Sequence, residues 1–67
     1  MITKLIKLEI DQDDVSYLKF SNNKIVETRE VEIGDIAGII LMDLDKDNKI
    51  VGIEFVFHSE IISENKI

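Results

Sequence analysis

The residues of this 67-residue chain best suited to chemistry lie in one acidic segment, residues 43–54. Asp43, Asp45 and Asp47 alternate along it, and Glu54 stands at its twelfth position. Calcium binds six to eight hard oxygen ligands, and this carboxylate spacing is that of an EF-hand calcium loop. The four acids are therefore candidate ligands for calcium or, less specifically, for magnesium.

Features of the same segment favour an acidic β-hairpin with no metal. Asn48 occupies the position where the sharp turn of a calcium loop needs glycine. The flanking residues alternate between apolar and polar, as in strands, so Glu54 would lie in mid-strand. In a hairpin the Asp and Asn side chains accept or donate hydrogen bonds within their own turn. We expect no bound cofactor on this interpretation.

Catalytic groups are sparse in the rest of the chain. His58 is the only histidine, cysteine is absent, and no serine has the sequence setting of an activated nucleophile. No glycine-rich phosphate loop can be formed from three glycines. We therefore expect no catalytic residues and no enzyme. Tyr17 and Arg29 are the best candidates for contacting a ligand or a partner, although a lone arginine on a strand more often forms a cross-strand ion pair.

The elements that would position these residues are strands. Apolar and polar residues alternate with period two between turn signals, which is typical of antiparallel strands with one buried and one wet face. The sequence predicts a single domain over residues 1–67, mainly β, with one antiparallel meander sheet of about five strands. A tight hairpin is expected at 21–24, another at 45–48, and a short helical turn in 59–67 with Ser59 as N-cap. The predicted strands are 3–10, 15–20, 25–31, 39–44 and 51–57.

Composition constrains the partners. The formal net charge of −6 repels a phosphate backbone, so no direct nucleic-acid binding is expected, whereas a basic protein partner is compatible. No apolar run approaches the roughly 20 residues that span a bilayer, and no export signal is present, so we expect a cytoplasmic protein without membrane contact. Apolar residues on both strand faces, together with open sheet edges, predict a homo-oligomer.

Three blocks of the sequence resemble a known family. They are the Tyr-containing segment 13–21, the V-x-T-x-E segment 26–31, and the acidic segment 43–55 that ends in I-V-G-I-E-F. This pattern is similar to that of the family called domain of unknown function 2283, over roughly residues 6–58. The resemblance implies a small β fold and lends no activity, and it weakens the calcium interpretation.

Two functional hypotheses follow from the sequence. The first is a non-enzymatic, oligomeric protein-interaction module, antitoxin-like or inhibitor-like towards a basic protein. The alternative is a module that binds a small ligand or a divalent metal through the acidic hairpin 43–54 or a pocket between subunits.

Overall fold

The computed structural model describes residues 5–35 and 37–61. They form one sheet of five antiparallel strands, followed by a short helix. The mainly β class, the single sheet and the C-terminal helical turn agree with the prediction. The elements are β1 (Lys7–Ile10), β2 (Val15–Lys19), β3 (Glu27–Val31), β4 (Ile39–Leu44), β5 (Ile50–Val56) and α1 (His58–Ile61).

The order of the strands across the sheet is β1-β2-β5-β4-β3, so the sheet is not a simple meander. The β4–β5 hairpin lies between β2 and β3, and both β1 and β3 are edge strands. The predicted tight hairpin at 21–24 is therefore wrong, because β2 and β3 are not neighbours. Residues 20–26 instead cross the end of the β4–β5 hairpin.

Backbone hydrogen bonds attach this crossing segment to the hairpin. The N–H groups of Phe20 and Ser21 both donate to the carbonyl oxygen of Val51, at 2.8 and 3.2 Å. The N–H of Val26 donates to the carbonyl oxygen of Leu44 at 2.9 Å. The register of β4 and β5 shifts beside Leu44, which leaves the carbonyl of Val51 available to the crossing chain.

The predicted hairpin at 45–48 is present. Asn48 has a φ of 62°, which asparagine tolerates better than most residues, and its N–H donates to the carbonyl oxygen of Asp45 at 3.0 Å. The hairpin between β1 and β2 contains another non-glycine residue with a positive φ, Asp14, at 63°.

Helix α1 begins at His58, one residue before the predicted N-cap Ser59, after Phe57 with a φ of 59°. It packs back against the start of β4. A Cβ atom at Gly38 would contact the side chain of Ile61 and would lie 2.8 Å from the carbonyl oxygen of Val56, so a larger residue would force the backbone to shift. The predicted helical turn extends to residue 67, and its part beyond Ile61 lies outside the described residues.

The interior of this structure is small. Among the described residues, the buried hydrophobic side chains are those of Ile40, Leu44 and Val51, and no large side chain is fully buried. One sheet with a four-residue helix provides a single layer, whereas stable domains usually pack two.

Candidate functional site

The strand register separates the side chains of the sheet into two faces, because directly opposed residues share a face and alternate residues change it. We call the face that carries Tyr17 the tyrosine face and the opposite face the apolar face. The polar residues of the tyrosine face are Lys7, Glu9, Tyr17, Lys19, Thr28, Glu30, Asp43 and Glu54. The apolar face carries Leu8, Ile10, Leu18, Val31, Ile40, Met42, Ile53 and Phe55, with Ser16, Glu27 and Arg29.

The centre of the tyrosine face is a hydrogen-bonded cluster from three strands. The hydroxyl of Tyr17 on β2 donates to Oδ2 of Asp43 on β4 at 2.9 Å. The hydroxyl of Thr28 on β3 donates to Oδ1 of the same carboxylate at 2.6 Å. Both carboxylate oxygens of Asp43 therefore accept a hydrogen bond, and the residue connects β2 with β3.

Gly52 on β5 makes the contact between β2 and β4 possible. It stands between Lys19 and Asp43 in the register, and the tyrosine ring passes directly over it. A Cβ atom at this position would lie 2.1 Å from the hydroxyl oxygen of Tyr17. The missing side chain therefore leaves the groove through which the ring reaches Asp43, as aromatic rings cover glycines in other sheets.

The cluster holds Tyr17 in its protonated form. Burial raises the pKa of Tyr17 to about 12, and the hydrogen bond to Asp43 and the nearby carboxylates add to that increase. A phenol with such a pKa stays neutral at physiological pH and donates a hydrogen bond instead of acting as a base. The chemistry of the cluster is structural cross-linking of strands.

The carboxylate of Asp45 organises the β4–β5 turn. It is 6 % exposed, and its Oδ1 accepts hydrogen bonds from the N–H groups of Asp47 and Lys49 at 2.8 and 3.0 Å. Its Oδ2 accepts one from the side-chain amide of Asn23 in the crossing segment, at 3.0 Å. The bond from Asn23 is the main reason that the pKa of Asp45 lies below its usual value, and the backbone donors lower it further.

The four predicted metal ligands do not converge. Asp43 bonds to Tyr17 and Asp45 closes the turn, whereas Glu54 lies on β5 opposite Tyr17. Within residues 5–35 and 37–61, no group of three or more Asp, Glu or His side chains is placed to hold a metal ion. In this structure the acidic segment is a hairpin whose carboxylates bind its own chain, the alternative considered for the sequence.

The two predicted contact residues, Tyr17 and Arg29, lie on opposite faces of the sheet. Tyr17 belongs to the cluster with Asp43. Arg29 donates from Nε to Oε2 of Glu27 at 2.5 Å, along the same edge strand. This exposed pair lowers the pKa of Glu27 through the hydrogen bond and the charge of the guanidinium. The structure therefore does not bring the two residues into one site.

A second cluster joins the β1–β2 turn to helix α1. Nε2 of His58 lies 2.9 Å from Oδ1 of Asp14, and the hydroxyl of Ser59 donates to Oδ2 of Asp14. The backbone N–H of Ser59 also donates to Asp14, at 3.1 Å, so Asp14 caps the helix from a distant turn. The bonds from Ser59 hold the pKa of Asp14 below its usual value.

These three residues are of the types found in a catalytic triad, but their hydrogen bonds run in another order. In a triad the histidine lies between serine and aspartate and takes the serine proton. Here Asp14 lies in the middle, and Ser59 donates to Asp14. The acids nearest to His58 in sequence are Glu54 and Glu60, whereas the fold brings Asp14 to it from 44 residues earlier in the chain.

Comparison with known families identifies the family of the chain. The model of the family described as protein of unknown function (DUF2283) matches residues 7–59. The chain belongs to this family. The resemblance noted in the sequence is thereby confirmed, and the residues that carried it acquire a physical role, since Tyr17, Thr28, Asp43 and Gly52 meet in one cluster. Neither the comparison with curated proteins nor that with solved structures returned a match.

Membership of the DUF2283 family brings no activity with it. In the part of the chain that the structure describes, no helix has the length and apolar character needed to cross a membrane.

Sequence reasoning missed the partnerships of Asp14 and Asp45. Both residues occur in acidic turns, where solvated aspartates are common, and their partners lie 45 and 22 residues away. For the separate cluster around Asp43, the family blocks did contain a signal, because Tyr17, Thr28, Asp43 and Gly52 each stood in a different predicted strand.

Proposed function

We propose that this DUF2283 protein is a non-enzymatic, homo-oligomeric interaction module. The observation that supports it is the single-layered sheet, whose two faces differ in chemistry. One face is mostly apolar, with Glu27 and Arg29 at its β3 edge, and the other carries six charged residues, of which Asp43 belongs to the hydrogen-bonded cluster. The best arrangement of serine, histidine and aspartate in the described residues ties a helix to a turn, which favours a binding role over catalysis.

The oligomeric part of the proposal follows from the small interior. A chain below about 80 residues rarely obtains enough stability from its own core, and natural examples add disulfides, a metal or a partner subunit. This chain has no cysteine. Its radius of gyration is 12.9 Å, compared with roughly 11 Å for a compact chain of this length. A further subunit would supply the missing layer.

The partner-binding part rests on the charges of the tyrosine face. Glu9, Glu30, Asp43 and Glu54 outnumber Lys7 and Lys19 there, in a chain of net charge −6. Such a surface attracts a basic protein and gives the attraction a dependence on salt. An antitoxin-like or inhibitor-like role towards a basic protein is the form of function that this charge favours.

Light scattering and native mass spectrometry of the full chain test the oligomer. We expect a mass that is a multiple of 7.7 kDa at micromolar concentration. A chain that stays monomeric at all accessible concentrations would overturn this part of the proposal.

Salt-dependent capture of a basic protein from extracts of the source cells tests the partner. Glu54→Gln on the tyrosine face should weaken capture several-fold, while Glu32→Gln should leave it nearly unchanged. Glu32 makes a matched control because it is exposed, lies in the β3–β4 connection and loses the same charge. Equal loss in both variants would indicate non-specific attraction to net charge and would contradict the proposal.

A small anionic ligand is the second candidate. Lys7 and Lys19 oppose each other directly on β1 and β2, where like charges destabilise a sheet. They border a cavity of about 370 Å³ that Glu9 and Asp43 also line, and Lys7 is ion-paired with Glu9 at 2.7 Å, which leaves Lys19 as the lysine for an anion. Phosphate or sulfate at millimolar concentration should raise the melting temperature, and Lys19→Gln should abolish that rise. No rise with either anion would remove this candidate.

A further inference from the structure

We infer that a second copy of the chain packs on the apolar face of the sheet and forms a two-layered β-sandwich dimer. This inference rests on the proposed function and names the surface through which the oligomer forms. The surface is the apolar patch, which consists of Leu8, Ile10, Leu18, Met42, Ile53 and Phe55.

The apolar patch is continuous across four strands and free of charge. Leu8 and Ile10 on β1 are 52 and 69 % exposed, although they stand opposite Leu18 and Ser16 on β2. Leu8, Ile10, Leu18 and Phe55 together line one groove that ends at His58. The charged residues of this face, Glu27 and Arg29, lie on the edge strand β3 and neutralise each other. A sheet face of this kind is covered in stable folds.

The chain exposes more surface than a compact monomer of its mass. The chain exposes 5556 Å², whereas a compact monomer of 7.7 kDa exposes roughly 4,300 Å². The excess of roughly 1,200 Å² compares with about 800 Å² per partner in a standard interface. The excess belongs to the chain as a whole, and a face-to-face contact of standard size is compatible with it.

The distribution of charge favours the apolar face for contact between two copies. Each copy carries −6, so self-association is opposed unless the charges remain outside the interface. Contact through the tyrosine faces would bring four carboxylates of one copy towards four of the other. Contact through the apolar faces leaves those carboxylates on the two outer surfaces. A basic partner, by contrast, would gain nothing from the neutral apolar face.

The chain's own C-terminal residues could compete for the apolar patch. Residues 62–67 contain two hydrophobic side chains, Ile62 and Ile67, together with four polar ones. That composition offers far less apolar area than the six-residue patch presents. A second copy offers the same six residues again, as a two-fold symmetric interface requires.

Sheet-on-sheet packing sets the geometry of the dimer. Two sheets pack about 10 Å apart, with their strands within about 30° of alignment. The tyrosine faces then point outwards on both sides, where they remain available to partners. The edge strands β1 and β3 of each copy stay unpaired.

Charge insertions at two distant points of the apolar face test the inference. Ile10→Glu lies on β1 and Met42→Glu on β4, at opposite sides of the apolar patch. Each should lower the affinity between copies at least tenfold in light-scattering dilution series. Ile33→Glu is the matched control, because Ile33 is 56 % exposed in the β3–β4 connection and should leave the affinity unchanged.

The outcomes separate this inference from the proposed function. A dimer broken by both patch variants and kept by the control supports face-to-face packing. An oligomer that survives either patch variant would be held by another surface, such as a sheet edge, and it would overturn the inference while leaving the oligomer intact. A wild-type monomer would overturn both.

A measurement on the wild-type protein covers the case in which the variants do not fold. In a sample that mixes isotope-labelled and unlabelled chains, the methyl groups of Leu18 and Ile53 should show nuclear Overhauser effects between copies. Absence of these effects would refute the dimer. Effects from Ile62 or Ile67 of the same chain in their place would assign the apolar patch to the C-terminal residues.

Discussion

The hydroxyl of Tyr17 donates a hydrogen bond to the carboxylate of Asp43 across an intervening strand, at 2.9 Å. The two residues lie on β2 and β4, and Gly52 on β5 separates them. Because Thr28 on β3 bonds to the same carboxylate, four of the five strands contribute to one cluster. The cluster fixes the order of the strands that surround the β4–β5 hairpin.

Tyr17→Phe should destabilise the fold by about 1 kcal/mol. The substitution keeps the ring over Gly52 and removes the hydrogen bond to a charged carboxylate. Partial exposure reduces the contribution of this hydrogen bond to the free energy of unfolding. Chemical denaturation measures the change. Thr28→Val removes the other bond to Asp43 at an exposed position and should have a smaller effect. An unchanged free energy of unfolding in Tyr17→Phe would show that the bond is not formed.

The single tyrosine should titrate far above its ordinary pKa. Tyr17 has a pKa of about 12 in the folded chain, against about 10 when unfolded. Since the folded state keeps the proton longer, its contribution to stability is present below pH 10 and is lost as the pH rises towards 12. Ultraviolet absorbance of tyrosinate reports this residue alone, because the chain has no tryptophan and no other tyrosine. A midpoint near 10 in the folded protein would contradict the cluster.

Gly52→Ala should destabilise the fold by about 2–3 kcal/mol through overpacking. The new Cβ would lie 2.1 Å from the hydroxyl oxygen of Tyr17 and 2.9 Å from the carbonyl oxygen of Leu18. In a Tyr17→Leu background the substitution should be less harmful, because the first clash is gone. A double-mutant cycle by denaturation measures the coupling. Equal losses in both backgrounds would mean that the ring does not lie over Gly52.

Asp45 should make the stability of the turn sensitive to acid. Its folded pKa lies below its unfolded value, so its contribution is present above about pH 4 and is lost as the pH falls through the folded pKa. Asp45→Asn should lower the melting temperature at neutral pH and flatten its decline in acid. Asp47→Asn is the control, since Asp47 takes part in the turn through its backbone N–H. Identical acid profiles in the wild type and Asp45→Asn would refute this role.

Calcium should not stabilise the protein. Both oxygens of Asp43 and both oxygens of Asp45 accept hydrogen bonds from the chain, so a metal would have to displace those donors. We expect no rise in melting temperature with millimolar calcium or magnesium and no heat in calorimetry. A rise that Asp43→Asn and Asp47→Asn both abolish would restore the metal site that the carboxylate spacing suggests.

The local sequence was sufficient for the existence of five strands and for one turn, but it placed the starts of β1 and β3 too early, since these strands begin at Lys7 and Glu27. Period-two alternation in β5 and in β2 requires only that one face be buried, and each window of residues reports it independently. The turn at Asn48 was predictable because asparagine tolerates a positive φ and the flanking strands are short. The three blocks that resemble the family could be recognised in the sequence because each is a run of neighbouring residues.

Strand order and the partners of the acids depended on the tertiary structure. The asparagines after Phe20 are compatible with a hairpin, and nothing local indicates that the chain crosses the end of the β4–β5 hairpin instead. That choice depends on bonds between distant residues, such as Asn23 to Asp45, and on the groove over Gly52 that lets Tyr17 reach Asp43. Sequence alone thus determined which residues alternate in and out of a sheet, because the pleat is a local property. Only the fold decided whether an acidic residue holds a metal, a helix or a turn, because a carboxylate takes its role from the donors that packing brings to it.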